Sequence, residues 1–325
     1  MEKKQAIGVK SGLSAAAVVL GASATARLIR RNTEPAPGVG ASLKGLPVFP
    51  PDNPWNRRID GEPVDSHSDL LIARIGPDLS LHPDFGAGGW RGDPNGIPYM
   101  VVPGNTPLVP ITFDYTEESD PGPYPIPPNA PIEGGANATG DRHILVIDRD
   151  HGKLYELFDA HPDPSGWGYR AGSGAVFDLK SNRVRPAGWT SADAAGLPIF
   201  PGLVRYDEVM EQRKIHHALR FTVKNTRRAY VPPARHRASR NTDWSLPPMG
   251  MRVRLKANFD ISGFPPSARV ILQALKTYGM ILADNGGNWF VSGAPDRRWN
   301  DGELETLKRV TGKNFEIIRM PPVVE

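Results

Sequence analysis

Thirty-four glycines and thirty-four prolines make up about a fifth of this 325-residue chain, against a usual ~12%. Proline interrupts helix interiors and central strands, and glycine favours turns. A helical bundle is therefore excluded, and short strands joined by long connections are expected. The prolines are unevenly placed. Eighteen lie between Leu46 and Pro131, where Trp55, Phe85, Trp90, Tyr99 and Phe113 supply apolar anchors. That half reads as a structured wrap over a core, with one strand within Leu108–Tyr115. Its loops are expected to form walls of a cleft, since binding groups concentrate on loops held by a scaffold.

After Gly140 the pattern becomes regular. His143–Asp148 and Lys153–Phe158 are β-rich runs on either side of Arg149-Asp150-His151-Gly152, which predicts a hairpin. Alternation of apolar and polar residues predicts strands over His217–Val223 and Met251–Lys256, the second with one charged face. Ser267 ahead of Val270, Ile271, Ala274, Leu275 and Tyr278, with Gly279 behind, predicts a helix with a serine N-cap. Strands at Met280–Ala283 and Trp289–Val291 follow. Asn300 and Glu303 then suggest a capping box for a short helix ending at Gly312, and Phe315–Arg319 a last strand. The expected fold class is α+β, predominantly β, with a sandwich- or barrel-like core and two C-terminal helices.

The charge is informative once divided. The net charge of +4 equals the excess carried by residues 1–34, so the remainder is balanced. Lys3, Lys4 and Lys10 precede the uncharged run Ser11–Ala26, which ends in Ala24-Thr25-Ala26. That is the layout of an export signal. As a helix the run spans only about 24 Å, short of a ~30 Å hydrocarbon core. Residues 1–26 are therefore expected to be a signal peptide or N-terminal anchor, 27–45 a linker, and 46–325 a single β-rich domain that is secreted or periplasmic. Within the body, Ile111–Asp163 holds eleven acidic and three basic residues, and Arg205–Lys256 thirteen basic and four acidic. The pattern fits segments that face each other or ordinary solvated faces. It also fits an acidic cleft beside a basic rim that meets an anionic polymer.

Several excluded chemistries narrow the candidates. Without cysteine there is no disulfide, thiolate ligand or thiol nucleophile. No phosphate loop or dinucleotide fingerprint occurs, and no HExxH or HxH spacing supports a metal, so neither cofactor nor metal is expected. Glu156 shares strand parity with Leu154 and Phe158. A carboxyl on an apolar face loses solvation, which raises its pKa and suits it to general acid catalysis. Asp159 follows at the strand end, and Asp141 and His143 stand at the mouth of the hairpin. His217 lies on the apolar side of its strand, with Arg220 three residues on; a satisfied core histidine is the plainer account of it. Asp284-Asn285-Gly286-Gly287-Asn288-Trp289 is the densest polar turn. Asp284, Asn285 and Asn288 beside Trp289 offer hydrogen bonds and a stacking face to a sugar, although Asn-Gly is also an ordinary hairpin turn.

Leu197–Glu208, His217–Thr222 and Tyr278–Met280 through Asn288-Trp289 resemble a group of secreted bacterial proteins of unassigned function. The resemblance implies export and a single folded unit, and it assigns no catalytic residue. The resulting expectation is a carbohydrate-active hydrolase for extracellular or cell-wall polysaccharide. Glu156 is the proton donor, Asp284 or Asp159 the second carboxylate, and His217 and Asp141 orient them, with Asn285, Asn288, Trp289, His143 and Arg220 on substrate. The alternative is a non-catalytic glycan-binding or cell-surface protein, and a metal-dependent hydrolase ranks below both. The expected partner is a polysaccharide or other glycan rather than nucleic acid, with membrane contact only through an uncleaved N-terminal segment.

Overall fold

The hairpin that anchors the molecule forms where the turn residues place it. Ile144–Asp148 pairs antiparallel with Lys153–Phe158, and Asp148 stands opposite Lys153. The Asp148 carboxylate accepts the backbone N–H of Asp150 and of His151, closing the turn. This computed structural model describes residues 37–43, 45–90 and 93–325. The expected export signal (1–26) and most of the expected linker lie outside the described residues. Among the described residues no helix is long and apolar enough to cross a membrane.

The hairpin sits inside a five-stranded sheet in the order Gly38–Val39, Tyr99–Val102, Ile144–Asp148, Lys153–Phe158, Ser173–Asp178. Its alternating side chains enter two different cores. Leu145, Ile147, Leu154 and Phe177 join the larger one, while Ile144, Val146 and Leu157 join a smaller one. The proline-rich half supplies Val109, Tyr124 and Ile126 to the smaller core. This explains how four consecutive apolar residues, 144–147, can lie in one strand of a protein rich in turns: both of its faces are covered. A three-stranded sheet of Ile111–Phe113, Tyr169–Ala171 and His161–Pro162 adds Tyr169 and Ala171 to the same cluster.

The second large sheet is mixed. Its six strands run Phe315–Ile317, Arg252–Leu255, Met280–Asn285, Leu219–Val223, Phe290–Ser292, His82–Asp84. Leu219–Val223 is parallel to Met280–Asn285 and antiparallel to Phe290–Ser292. The helix Pro266–Thr277 buries Ala268, Ile271, Leu272 and Leu275 in the larger core. It starts earlier than a serine cap predicts. Pro266 occupies the first turn, where a missing N–H costs nothing, Pro265 takes the cap position, and the Ser267 hydroxyl instead donates to the Glu303 carboxylate. The capping box at Asn300 is consequently half-formed: Asn300 accepts from the Glu303 N–H, while the Glu303 carboxylate is engaged by Ser267. Gly279 is required where it stands, with φ +67° and a Cβ position 2.1 Å from the Val253 carbonyl oxygen.

The predominantly β architecture and the presence of two late helices agree with expectation, but the second, Asp301–Glu305, gives way to a tighter 3-10 turn over Thr306–Arg309 and stops short of the expected end at Gly312. Two further features depart from expectation. A third helix, Ser68–Ile75, forms within the proline-rich half. The helix is short, eight of the thirteen residues between Pro63 and Pro77, yet Leu71, Ile72 and Ile75 fall on one face and are buried. The charged face of Arg252–Leu255 is not solvated either. Arg252 donates to the carbonyls of Pro54, Arg57 and Tyr278, and Arg254 to those of Ile59 and Glu62 and to the Glu316 carboxylate. Both arginines therefore fasten the proline-rich wrap to the sheet, which a strand-period reading cannot distinguish from solvent exposure.

Candidate functional site

A cleft of about 1170 Å³ opens beside the start of the hairpin strand and the end of Met280–Asn285. Asp141, Asp193, Asp284 and Asn285 line it, together with Glu118, Tyr115 and a basic stretch at 228–240. Its chemistry depends on Arg220, which the strand Leu219–Val223 carries into the interior. The guanidinium grips the fully buried Asp193 through two bonds, Nε to Oδ2 at 2.7 Å and Nη2 to Oδ1 at 2.8 Å. Its Nη1 donates to the Ser292 hydroxyl at 2.7 Å. Burial opposes the arginine's charge, but Asp193 overrides it and holds the cation firmly protonated.

Asp284 receives what is left. It lies 3.5 Å from Arg220 Nη2, and its Oδ1 accepts the Asn285 N–H at 2.6 Å. The side chain is 22% exposed and faces the cleft. Desolvation, followed by the negative charge of Asp193, pushes it up to about 7 against the pull of Arg220. The physical reason is the ownership of the cation: a guanidinium already neutralised by one carboxylate does little for a second. Asp141 lies in the same cleft, is exposed, and adds to the field that raises Asp284. The cleft thus holds a carboxyl that carries a proton near neutral pH and another open to water.

Glu156 occupies a different environment. It faces the larger core with Leu145 and Leu154, as its parity implied, and is fully buried. It does not line the cleft. Ile199 N–H donates to both carboxyl oxygens at 3.0 Å and Phe200 N–H to Oε1 at 2.9 Å. Burial pushes it up to about 7, and those N–H groups oppose the rise. Such a carboxyl ties the irregular 190–200 segment to the hairpin strand. Nearby His143 is equally enclosed. Its Nε2 donates to the Ala192 carbonyl at 2.9 Å and its Nδ1 to Glu133 at 2.6 Å. Burial works against its charge, yet Glu133 overrides this and raises it to about 9. Its ring is not available to a substrate.

The remaining expected residues are dispersed. Asp159 is half-buried and paired to His161 at 2.8 Å, and it is not part of the cleft lining. His217 belongs to a separate recess of about 570 Å³, where Glu208 lies 3.1 Å from its Nε2 and Arg205 is bound to Glu208 at 2.6 Å. Asn285 reaches the cleft but also anchors the strand end, accepting from Thr226 and donating to the Val223 and Lys224 carbonyls. Asn288 accepts the Lys224 N–H and donates to the Ile75 carbonyl, both at 2.7 Å. Trp289 offers no platform for a sugar. It is fully buried, stacked between Phe221 and Phe315, and its indole N–H donates to the Gly76 carbonyl at 2.9 Å. The polar turn is therefore a structural joint whose first two residues alone meet the cleft.

Sequence reasoning missed Asp193 and Glu133, the partners that set the state of Arg220 and His143, and Asp84, whose pKa desolvation raises and whose field includes Glu133 and Arg220. None carries a local motif. The one available signal for Asp193 was an acidic residue among small ones, Ser191-Ala192-Asp193-Ala194-Ala195, with no solvated face to occupy. Among the described residues no group of three or more histidine, aspartate or glutamate side chains is arranged to hold a metal ion. No family model, curated protein or solved structure matches the chain, which leaves its own residues as the ground for assigning chemistry.

Proposed function

We propose that the protein is a carbohydrate-active hydrolase acting on extracellular or cell-wall polysaccharide, with Asp284 as proton donor and Asp141 as second carboxylate. The observation that carries this reading is Asp284 on the cleft wall, raised to about 7 by desolvation and Asp193. A carboxylic acid that still holds its proton near neutral pH can deliver it to a glycosidic oxygen. Asp141, open to solvent in the same cleft, can attack the sugar or activate water. The separation of the two groups around the bond sets the stereochemical course. Glu156 then holds the 190–200 segment that carries Asp193 and touches no substrate.

The test is a panel of neutral and charged polysaccharides incubated with the full chain, scored for bound polymer and for released reducing ends. Turnover that disappears in Asp284→Asn while polymer is still bound supports the assignment. Retention of polymer with no released ends, unchanged in Asp284→Asn, identifies a glycan-binding protein instead.

A further inference from the structure

Among the described residues, all the basic side chains that line the cleft come from one stretch of chain. Residues 228–240 contribute Arg228, His236, Arg237 and Arg240 to the lining and include no carboxylate. The stretch is fixed to the segment that carries Asp193. The N–H groups of Arg235 and His236 both donate to the Ala195 carbonyl, at 2.8 and 3.2 Å, and the Arg235 carbonyl accepts the Gly188 N–H at 2.7 Å. His236 Nδ1 donates to the Ala194 carbonyl at 2.8 Å. Elsewhere on the surface, Arg170 pairs with Asp114 and Arg298 with Asp296, each at 2.7 Å. Arg228, Arg237 and Arg240 are exposed, and among the described residues their guanidinium groups have no hydrogen-bonding or carboxylate partner. Exposed Arg183, Arg213, Arg269, Arg297 and Arg319 likewise lack a side-chain partner among the described residues, so what sets the three arginines apart is that they share the lining of one cleft.

We propose that the cleft binds an anionic glycan, one whose sugars carry carboxylate or sulfate groups, and that Arg228, Arg237 and Arg240 receive those charges. This rests on reading the cleft as a polysaccharide site. A guanidinium presents a planar fork that matches such oxyanions, and three of them without internal partners give a neutral sugar nothing to answer. Glu118, Asp141 and Asp284 in the same cleft favour a sugar over a nucleic acid. Sugar rings offer hydroxyl donors to carboxylates as well as an acid group to the arginines. A DNA backbone carries a comparable charge per residue but has no free ring hydroxyls to offer those carboxylates.

Binding of the full chain to a polyuronate oligomer is compared with binding to the same oligomer whose carboxyls have been reduced to alcohols, to a sulfated galactan oligomer, and to oligodeoxythymidine. At least one anionic glycan is expected to bind about tenfold or more tightly than the reduced oligomer, with an advantage that shrinks as salt is added. Whether the polyuronate or the sulfated oligomer leads identifies the charge that is recognised. The double variant Arg237→Ser/Arg240→Ser should lose the advantage at an unchanged unfolding temperature, and Asp284→Asn should keep it. Equal affinity for charged and reduced oligomers, an unaltered preference in the arginine variant, or tighter binding of oligodeoxythymidine would each overturn the proposal. Release of ends from neutral polymers with no preference for charge overturns it and leaves the hydrolase standing. Charge-dependent binding without release from any polymer does the reverse, and absence of binding to every oligomer overturns both.

Discussion

Glu156 and Asp284 are both pushed up to about 7, and burial is the main cause for each. Their surroundings nevertheless assign them opposite work. On the first large sheet, Glu156 has its oxygens on the N–H groups of Ile199 and Phe200 and no face toward the cleft. On the second, Asp284 keeps one hydrogen bond to Asn285 and a long contact to an arginine already committed to Asp193. A perturbed carboxyl therefore does not mark a site by itself. Access and unsatisfied hydrogen-bonding capacity decide between a structural proton and a transferable one.

The largest expected effect breaks the comparison on the cleft side. Asp284→Asn should lower turnover about 10³-fold while the unfolding temperature stays within the error of the measurement, because the side chain is partly solvated and weakly held. Hydrolysis rates and thermal melts on the same preparation check both halves. Next comes the residue that joins the two regions. Arg220→Ala leaves the fully buried Asp193 without its counter-charge and should cost about 3–5 kcal/mol of stability, read by denaturant unfolding. In the double variant Arg220→Leu/Asp193→Leu the charge is removed with its partner, and much of that loss should return.

Glu156→Gln sharpens the comparison on the other side. The amide keeps one acceptor for the N–H groups of Ile199 and Phe200 but turns a donor toward them, so a loss of about 1–3 kcal/mol is expected. Turnover per folded molecule should not change. The pH dependence follows from the same groups. Glu156 rises from its ordinary 4.5 to about 7 and His143 from 6.5 to about 9. In both cases the folded state holds the proton more tightly. Their stabilisation is therefore full below the ordinary values and is lost as pH rises through the folded ones. Unfolding midpoints measured across this range should decline from about pH 4.5 to about pH 9, and Glu156→Gln should flatten the lower part of the decline.

What the sequence disclosed divides along the same line. Strand parity correctly put Glu156 on the core side of the hairpin, because period-2 alternation is a local property. Asp284 at the end of a strand was also legible, as was the contrast between acidic and basic segments that the cleft brings together. Parity could not say whether the covered face of Glu156 borders a cavity or a packed backbone, since Ile199 and Phe200 lie more than forty residues away. Trp289 failed for a related reason. Polar neighbours on its N-terminal side suggested an exposed ring, but its positive φ of +61° and the flanking Phe221 and Phe315 fold it inward. Arg252 and Arg254 failed because buried backbone carbonyls can serve a guanidinium as well as water does. In each case the missing information was a long-range partner rather than a local propensity.

Tyr115 provides the gentlest probe of the difference between the two regions. It lines the cleft, and 58% of it is exposed, while Tyr124 on the same proline-rich half is fully buried with its hydroxyl donating to the Asp120 carbonyl at 2.7 Å. An exposed ring contributes little to folding, so Tyr115→Ala should change stability by no more than about 0.5 kcal/mol. Its face is free to stack on a sugar, a contact of roughly 0.5–1.5 kcal/mol. That corresponds to a severalfold rise in KM with kcat nearly constant, because a remote stacking contact is made equally in the ground and transition states. Steady-state kinetics on a panel polysaccharide selected for release of reducing ends by the wild-type chain read both parameters. A fall in kcat at unchanged KM would instead place Tyr115 beside the reacting bond and move the centre of the cleft toward the first sheet.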